Sequence, residues 1–352
     1  MVNSKIIFNS SPDSALNEWI EKYKDRKIFL ATEENVNRIW VEKYSNFFDS
    51  HGINKIIIPS EEKNKKLESV EKIWKFLSDN GANRKSLLIN IGGGMLTDLA
   101  GFAASTFKRG IDFLNIPTTL LSQVDASTGG KTGINFNGLK NEIGTFREPI
   151  AVIINTDFLE TIDHANFISG FAEMIKHGLI KSPDHLEELK NFNIDNIDYH
   201  NLQEIISHSL DIKKYFVSND PTENNIRKAL NFGHTAGHAF ESMALRQSRP
   251  VLHGHAVAWG MIIELYLSLI KCGFDKNKLH ELTHWLVEIY GKFTIKKSDF
   301  TQLHELMTHD KKNESGRINF TLISKPGQIE IDNYCDRDMI FEALEYFRAS
   351  GL

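Results

Sequence analysis

The stretch SLLINIGGGMLTDLAGFAAST, residues 86–106, determines the fold expected for the first half of the chain. Ser86–Ile91 is a short continuous apolar run, which is typical of a strand buried in a parallel sheet. A run of three glycines follows it, and Leu96–Thr106 then has the composition of a helix. The order strand, glycine-rich turn, helix is one unit of an α/β domain.

The glycine-rich turn also has a candidate function. Glycines let the backbone approach a ligand closely, and the helix that follows offers unpaired N–H groups. Such a turn suits the pyrophosphate of a dinucleotide, with Asp98 one turn into the helix either capping it or facing the ligand. The spacing is not GxGxxG, however, so a simple tight turn explains the glycines equally well.

Strand and helix candidates alternate on both sides of this stretch up to about residue 160. The further strand candidates are Lys27–Ala31, Lys55–Ile58, Asp112–Ile116 and Ala151–Ile154, and the helix candidates are Glu34–Phe48 and Leu67–Leu77. This alternation predicts an α/β domain with a parallel sheet.

The pattern becomes mainly helical after residue 160. The helix candidates are Phe167–Ile180, His185–Phe192, Leu202–Val217, Lys228–Leu245, Ala256–Cys272, Lys276–Tyr290 and Phe300–Thr308, with one extended segment at Arg317–Leu322. We therefore predict two domains, an α/β domain at residues 1–160 and a mainly α-helical domain at residues 161–352, with the boundary near Thr161.

The composition is that of an ordinary globular protein. The 352 residues are 41% hydrophobic and 25% charged, and the net charge of −5 argues against nucleic-acid or anionic-membrane partners. The two cysteines form no disulfide framework and the N-terminus has no signal-peptide pattern, so we expect a cytoplasmic protein. Ala256–Ile270 is too short for a typical membrane span and contains Glu264, so it is interpreted as a buried helix.

Two stretches carry candidate site residues. In NFGHTAGHAFE, residues 231–241, a helix would place His234 and His238 on one face, as a metal site needs. A closely packed helix of small residues explains the stretch equally well.

The second stretch, residues 109–144, combines glycines with Arg109, Asp125, Lys131, Lys140 and Asn141, which favours a site for a small anion. Its spacing is not that of a Walker A loop.

The motifs together resemble the 3-dehydroquinate synthase family. They run in one order over residues 20–330 as GGGMLTDLAGFAAS, FKRG, PTTLLSQVDASTGGKTGIN, GLKNEIGTF, GFAEMIKHG, NFGHTAGHAFE, LHGHAVAWGM and HDKKN. The resemblance implies a homodimeric, cytoplasmic lyase of the shikimate pathway, which supplies aromatic amino acid biosynthesis. Its substrate would be 3-deoxy-D-arabino-heptulosonate 7-phosphate, its products 3-dehydroquinate and phosphate. The alternatives are another sugar phosphate cyclase and a non-catalytic binding protein derived from the fold.

The resemblance also implies cofactors and site residues. NAD would bind a Rossmann-like N-terminal domain, and a divalent metal, zinc first and cobalt second, would bind the helical domain. The implied metal ligands are Glu173, His234 and His253, which leaves His238 for proton transfer or substrate contact. The implied NAD-binding residues are Glu33, Asn35, Glu62, Lys65, Gly93, Gly94, Asp98, Thr118, Thr119, Asp125, Lys131, Lys140, Phe158 and Thr161. The implied substrate-binding residues are Arg109, Asp125, Lys131, Lys140, Asn141, Lys176, Lys213, Arg227, Asn231, His238 and Lys311, with Lys312 as an alternative to Lys311. Of these, His238, Lys131, Lys176, Asn141 and Arg227 are the implied catalytic residues.

Two departures from the family pattern stand out. His255 occupies a position where the family commonly has Glu, so it is a candidate to orient a metal ligand or to compete as one. The loop before Arg227, DPTENNIRKALN, lacks the usual acidic-glycine lead-in, although Arg227 and Asn231 keep their spacing to His234.

Overall fold

The structure, a computed structural model, describes residues 4–8, 12–137, 139–308 and 317–350. The chain divides into two compact units, Met1–Ile162 and Asp163–Leu352. The first is an α/β unit built on a parallel sheet and the second is mostly helical, so the predicted fold class is confirmed.

The first unit alternates strands and helices. Its strands are β1 (Lys5–Phe8), β2 (Ile28–Glu33), β3 (Asn54–Ile58), β4 (Leu87–Gly92), β5 (Asp112–Pro117), β6 (Lys131–Phe136), β7 (Leu139–Phe146) and β8 (Ala151–Ile154). Its helices are α1 (Pro12–Lys22), α2 (Glu34–Ile39), α3 (Ser45–Ser50), α4 (Leu67–Asp79) and α5 (Gly94–Thr106).

Six of the strands form one parallel sheet in the order β1-β8-β5-β4-β2-β3. Strand β4 is fully buried, and its neighbouring residues Leu88 and Ile89 belong to two different apolar clusters. Both faces of the sheet are therefore covered, as the continuous apolar run of this strand predicts. Gly92 at the end of β4 pairs with Pro117 at the end of β5, so the turns that follow these strands lie at one edge of the sheet.

Two details of the first unit differ from the predictions. The single helix predicted over Glu34–Phe48 is instead α2, a 3-10 helix at Val41–Tyr44 and α3. Between α2 and the 3-10 helix, Trp40 packs against Phe158 and donates its indole N–H to Thr161. The glycine-rich segment predicted to form an anion site continues into β6 and β7, an antiparallel hairpin that was not predicted from the sequence.

The second unit has eight described helices and one hairpin. The helices are α6 (His164–Lys181), α7 (Pro183–Asn191), α8 (Tyr199–Asn219), α9 (His234–Arg246), α10 (His253–Cys272), α11 (Lys276–Tyr290), α12 (Phe300–Thr308) and α13 (Arg337–Ala349). The hairpin pairs β9 (Ile318–Lys325) with β10 (Gln328–Cys335), so the predicted extended segment is one strand of a pair.

The helix predicted over Lys228–Leu245 is a 3-10 helix at Ile226–Asn231 followed by α9. The break lies at Gly233, whose φ of 79° belongs to the left-handed region that glycine adopts without strain. The break makes His234 the first residue of α9, and this sets where its imidazole points.

Helix α10 forms the centre of the second unit. It is long and apolar enough to cross a membrane by length and composition, but 67% of that apolar window is buried inside the protein. It also carries Glu264, which is fully buried. These features are those of a core helix, as predicted for Ala256–Ile270.

Candidate active site

Three helices of the second unit bring the predicted metal ligands together. Glu173 comes from the middle of α6, while His234 and His253 are the first residues of α9 and α10. The Nε2 atoms of His234 and His253 lie 3.5 and 3.4 Å from Glu173 Oε1. Two ligands of a tetrahedral zinc with bonds of about 2.0–2.1 Å are separated by about 3.3 Å, so the spacing fits a metal.

Hydrogen bonding fixes which ring nitrogens face the carboxylate. His234 Nδ1 lies 3.1 Å from the Phe232 carbonyl and His253 Nδ1 lies 3.4 Å from Glu241 Oε2. Since both partners only accept, each Nδ1 carries a proton, and Nε2 is the ring nitrogen that faces Glu173 Oε1. That oxygen is fully buried and has no hydrogen-bond partner. Two ring nitrogens and a carboxylate oxygen that meet at one buried point form a ligand set able to hold a divalent cation.

The pKa shifts of Glu173 and His253 show that the cluster favours positive charge. Burial alone raises the pKa of Glu173, but the Lys176 ammonium and the His234 imidazole outweigh it and hold that pKa well below its ordinary value. Burial alone lowers the pKa of His253, but the carboxylates of Glu241 and Glu173 outweigh it and raise that pKa to about 10. Lys176 itself is buried and donates to the second oxygen of Glu173.

Glu241 is a candidate site residue that the sequence reasoning missed. Its carboxylate accepts from His253 Nδ1 and orients that ring, the role that carboxylates commonly play beside metal-bound histidines. It follows His234 by seven residues and His238 by three, so helical spacing placed it on the face of the two histidines.

His238 lies on the same face of α9, with its ring centre 5.4 Å from that of His234 and 6.0 Å from that of His253. Its side chain is exposed, and with Glu241 and His253 it forms a second group within metal-binding distance. The structure therefore keeps His238 beside the cluster, where either role from the sequence analysis has a geometric basis.

Buried polar and glycine contacts hold the ligand-bearing ends of α9 and α10. Glu264 of α10 accepts the Gly233 N–H at 2.6 Å and the Ala236 N–H at 3.4 Å. A Cβ on Gly260 of α10 would lie 2.0 Å from the Gly233 carbonyl oxygen and 2.6 Å from the Gly237 nitrogen. The two helices meet backbone to backbone at this point, which places both histidines.

The edge of the first unit's sheet collects the predicted dinucleotide residues. Glu33 at the end of β2 accepts the Gly93 N–H at 2.7 Å, in the turn before α5. A Cβ on Gly93 would lie 3.3 Å from the Thr119 side chain, so Thr119 borders the same turn. Thr118 donates its N–H to the Gly92 carbonyl. Burial raises the pKa of Glu33 and outweighs the Gly93 hydrogen bond.

A polar network lies beside this turn. Lys65 is buried and donates to Asp98 Oδ2 at 2.6 Å and to Asn141 Oδ1 at 2.5 Å. Asn135, which the sequence reasoning missed, accepts the Asn141 N–H and donates to Glu62. Burial raises the pKa of Asp98 even though the Lys65 ammonium lowers it. Four predicted residues from three stretches of the chain, Glu62, Lys65, Asp98 and Asn141, are thus joined in one network.

The remaining predicted residues of the first unit lie elsewhere on it or at its surface. Phe158 is buried against Trp40, Thr161 accepts from the Trp40 indole, and Asn35 is exposed on α2. Asp125 lies in a helical turn at Ser122–Ala126 and its charge raises the pKa of Asp98. The side chains of Arg109, Lys131 and Lys140 are exposed.

The predicted substrate residues of the second unit are partly buried. Lys213 on α8 and Arg227 on the 3-10 helix are buried, and the Arg227 guanidinium donates to the Pro221 carbonyl at 2.7 Å. Asn231 donates to Glu223 at 2.8 Å. Lys311 and Lys312 lie outside the described residues.

The structure places the His255 ring against aromatic side chains. Its ring contacts Trp259 and Tyr290, at centre distances of 6.2 and 5.5 Å, and burial lowers its pKa. Among the described residues it joins none of the groups able to hold a metal, whereas Glu241 supplies the carboxylate beside His253.

Comparison with known proteins places these features in a family. The family models described as 3-dehydroquinate synthase N-terminal and C-terminal match residues 55–169 and 170–313. The chain is 45% identical over 350 residues to a 3-dehydroquinate synthase of Parabacteroides distasonis, covering 99% of each chain. It is 35% identical over 345 residues to the same enzyme of Clostridium tetani, covering 95% of this chain and 90% of the relative.

Solved structures show the same fold at low identity. A 2-deoxy-scyllo-inosose synthase complexed with carbaglucose-6-phosphate, NAD⁺ and Co²⁺ aligns with a TM-score of 0.85 and 22% identity, covering 99% of this chain and 96% of the other. A 2-epi-5-epi-valiolone synthase from Streptomyces hygroscopicus subsp. jinggangensis with NAD⁺ and Zn²⁺ bound aligns with a TM-score of 0.84 and 21% identity, covering 99% and 97%. An iron-containing alcohol dehydrogenase aligns with a TM-score of 0.66 and 12% identity, covering 100% and 99%.

Proposed function

We propose a mechanism from the premise that this chain belongs to the 3-dehydroquinate synthase family. The activity is that of a lyase that converts 3-deoxy-D-arabino-heptulosonate 7-phosphate to 3-dehydroquinate and phosphate. The observation that carries this conclusion is the meeting of His234 and His253 at one buried oxygen of Glu173, in a chain that matches both family models.

The second unit would hold the metal. Glu173, His234 and His253 fit a divalent ion of the zinc and cobalt class, since two imidazoles and one carboxylate leave positions for substrate oxygens. When bound, that ion supplies a Lewis acid that lowers the pKa of a substrate hydroxyl. Glu241 holds the His253 ring in the required tautomer, and Lys176 holds the second oxygen of Glu173.

The first unit would hold NAD at the carboxyl edge of its sheet. NAD supplies a temporary hydride acceptor, so the substrate is oxidised and later reduced with no net redox change. The Gly93 and Gly94 backbone would approach the pyrophosphate, since the turn opens α5. Lys65, already paired with Asp98 and Asn141, keeps that side of the turn polar and ordered.

The substrate carries a phosphate and a carboxylate, which explains the many predicted cations in an acidic protein. We assign substrate contacts to Arg109, Asp125, Lys131, Lys140, Asn141, Lys176, Lys213, Arg227, Asn231, His238 and Lys311. Cations stabilise phosphate as it departs because its negative charge grows. The exposed imidazole of His238, beside the cluster, is suited to hold or move a proton at a substrate hydroxyl.

We assign NAD binding to a domain at residues 1–160 and metal binding to a domain at residues 161–352. The division into compact units after Ile162 supports this assignment. We also place the enzyme in the cytoplasm, because Cys272 and Cys335 are both free thiols, as a reducing compartment maintains. Cell fractionation with an antibody against the chain tests this location; recovery outside the cytoplasmic fraction would overturn it.

A homodimer is the proposed assembly, and the β6–β7 hairpin supports it. Phe136, Leu139, Ile143 and Phe146 are between 39% and 65% exposed on this hairpin. Exposed apolar side chains grouped on one element are typical of protein interfaces. We expect Phe146→Glu to convert a dimer to a monomer in sedimentation velocity. Leu245→Glu, at an equally exposed residue of the second unit, is the control and should not; a dimeric Phe146→Glu variant would exclude the hairpin.

The deciding assay follows both products. Purified protein with NAD⁺, Zn²⁺ and the heptulosonate phosphate should release phosphate and form 3-dehydroquinate. Removal of the metal with a chelator should stop both, and added Zn²⁺ or Co²⁺ should restore them. Release of neither product with metal and NAD verified as bound would refute the proposal. Turnover only of a sugar phosphate that lacks the carboxylate would assign the chain to another cyclase activity.

A further inference from the structure

A separate group of side chains able to hold a metal ion lies on helices α7 and α8, away from the candidate active site. His185 and Glu188 are one turn apart on α7, and His208 projects from α8. One ligand atom from each of the three residues lies within 4.8 Å of the others. The three share no residue with the Glu173, His234 and His253 cluster.

Both imidazoles hydrogen-bond to the same carboxylate oxygen of Glu188. Glu188 Oε2 lies 2.9 Å from His185 Nδ1 and 3.1 Å from His208 Nδ1. Two ligands of a tetrahedral zinc are about 3.3 Å apart, so a shift of a few tenths of an ångström would admit an ion. Two imidazoles and one carboxylate form the ligand set that divalent transition metals such as Zn²⁺ and Co²⁺ prefer, and Ca²⁺ and Mg²⁺ do not.

The three side chains differ in exposure to solvent: His185 is buried and His208 is open to water. The His185 side chain is 2% exposed, Glu188 is 29% exposed and His208 is 56% exposed. The buried imidazole is held by packing, and burial lowers its pKa toward the neutral form that binds metals. The exposed imidazole leaves the remaining coordination positions to water, so an ion can enter from solvent.

We propose that His185, Glu188 and His208 form a second divalent transition-metal site, which clips α7 to α8. The two helices are joined by residues 192–198, a segment of irregular structure rich in Asn and Asp. An ion bound by both helices would oppose their separation, because it binds the folded arrangement and not the unfolded chain. This proposal does not depend on the catalytic one.

Metal stoichiometry tests the proposal with Co²⁺ as the probe. Chelator-stripped full-length protein is equilibrated with buffered Co²⁺, separated from free metal, and analysed for bound cobalt per chain. We expect two ions in the wild type and one in His208→Ala. His200→Ala removes another exposed histidine from the same helix and should keep two.

Further variants assign each ion to its group. Glu188→Gln should also bind one ion, while Glu173→Gln should keep the α7–α8 ion, and Glu173→Gln with His208→Ala should keep neither. His208→Ala should retain wild-type turnover, and it should lose part of the rise in melting temperature that Co²⁺ gives the wild type. Equal cobalt content in wild type and His208→Ala would overturn the proposal, as would equal loss in His200→Ala.

Discussion

The contact between α9 and α10 at Gly260 makes a prediction about metal binding. In Gly260→Ala the new Cβ would lie 2.0 Å from the Gly233 carbonyl oxygen, and ordinary contact begins at 3.4 Å. The Cβ would clash with the Gly233 carbonyl oxygen and the Gly237 nitrogen, which are backbone atoms, so no side chain can rotate away. The helices must therefore separate locally by about 1.4 Å. Overpacking of this kind costs about 1–3 kcal/mol of unfolding free energy.

The displacement would fall on the metal ligands. His234 follows Gly233 directly, and its Nε2 lies 3.5 Å from Glu173 Oε1. Metal sites tolerate errors of only about 0.2 Å in ligand distance. We expect Gly260→Ala to weaken zinc binding by at least the roughly 10–100-fold seen when groups that orient metal ligands are removed. Competition with a chromophoric chelator measures this affinity.

Gly273→Ala is the matched control. Gly273 ends α10 with a φ of 71°, and a Cβ there would meet nothing within 4 Å. The left-handed conformation costs an alanine about 1–2 kcal/mol, so both variants lose similar stability, as urea denaturation would verify. The control should keep its zinc affinity. Wild-type affinity in Gly260→Ala, or an equal loss in Gly273→Ala, would refute the geometric reasoning.

Three further predictions concern the Glu173, His234 and His253 cluster and the start of α9. Glu241→Gln should lower zinc affinity about 10–100-fold in the same competition assay, because the amide orients His253 less strongly; unchanged affinity would remove Glu241 from the site. His234→Ala should lose the metal, whereas His238→Ala should keep it and lose turnover, and elemental analysis beside product assays tells the two roles apart. Glu264→Leu should lower the urea midpoint by the equivalent of about 1–3 kcal/mol, since buried N–H groups at the start of α9 lose their acceptor, and a wild-type midpoint would contradict this.

Elements that bury continuous apolar runs were predictable from the sequence. Strand β4 and its glycine-rich turn appeared as expected, because a strand buried on both faces needs apolar residues throughout. The β6–β7 hairpin was not predicted, because its second strand is largely exposed and its glycines obscure any alternation. The break at Gly233 was also missed, since local composition there remains that of a helix.

The candidate site shows a similar division. The family motifs carried Glu173, His234 and His253, which the structure brings together around one oxygen. Glu264 served in the sequence analysis only as evidence against a membrane span, yet its carboxylate accepts N–H groups at the start of α9. Its partners are backbone N–H groups, and a sequence pattern does not indicate which backbone groups a side chain will contact.

The positions of His234 and His253 at the first residues of α9 and α10 have an electrostatic consequence. A helix carries roughly half a positive charge at its N-terminus, so two helix dipoles direct their positive ends toward the metal ligands. The buried carboxylate of Glu264 neutralises that end of α9, whereas the Gly254 N–H of α10 meets the uncharged hydroxyl of Ser169. Negative charge therefore reaches the two imidazole ligands by different routes: Glu264 accepts from N–H groups at the start of α9, whereas Glu241 accepts from the ring of His253 itself.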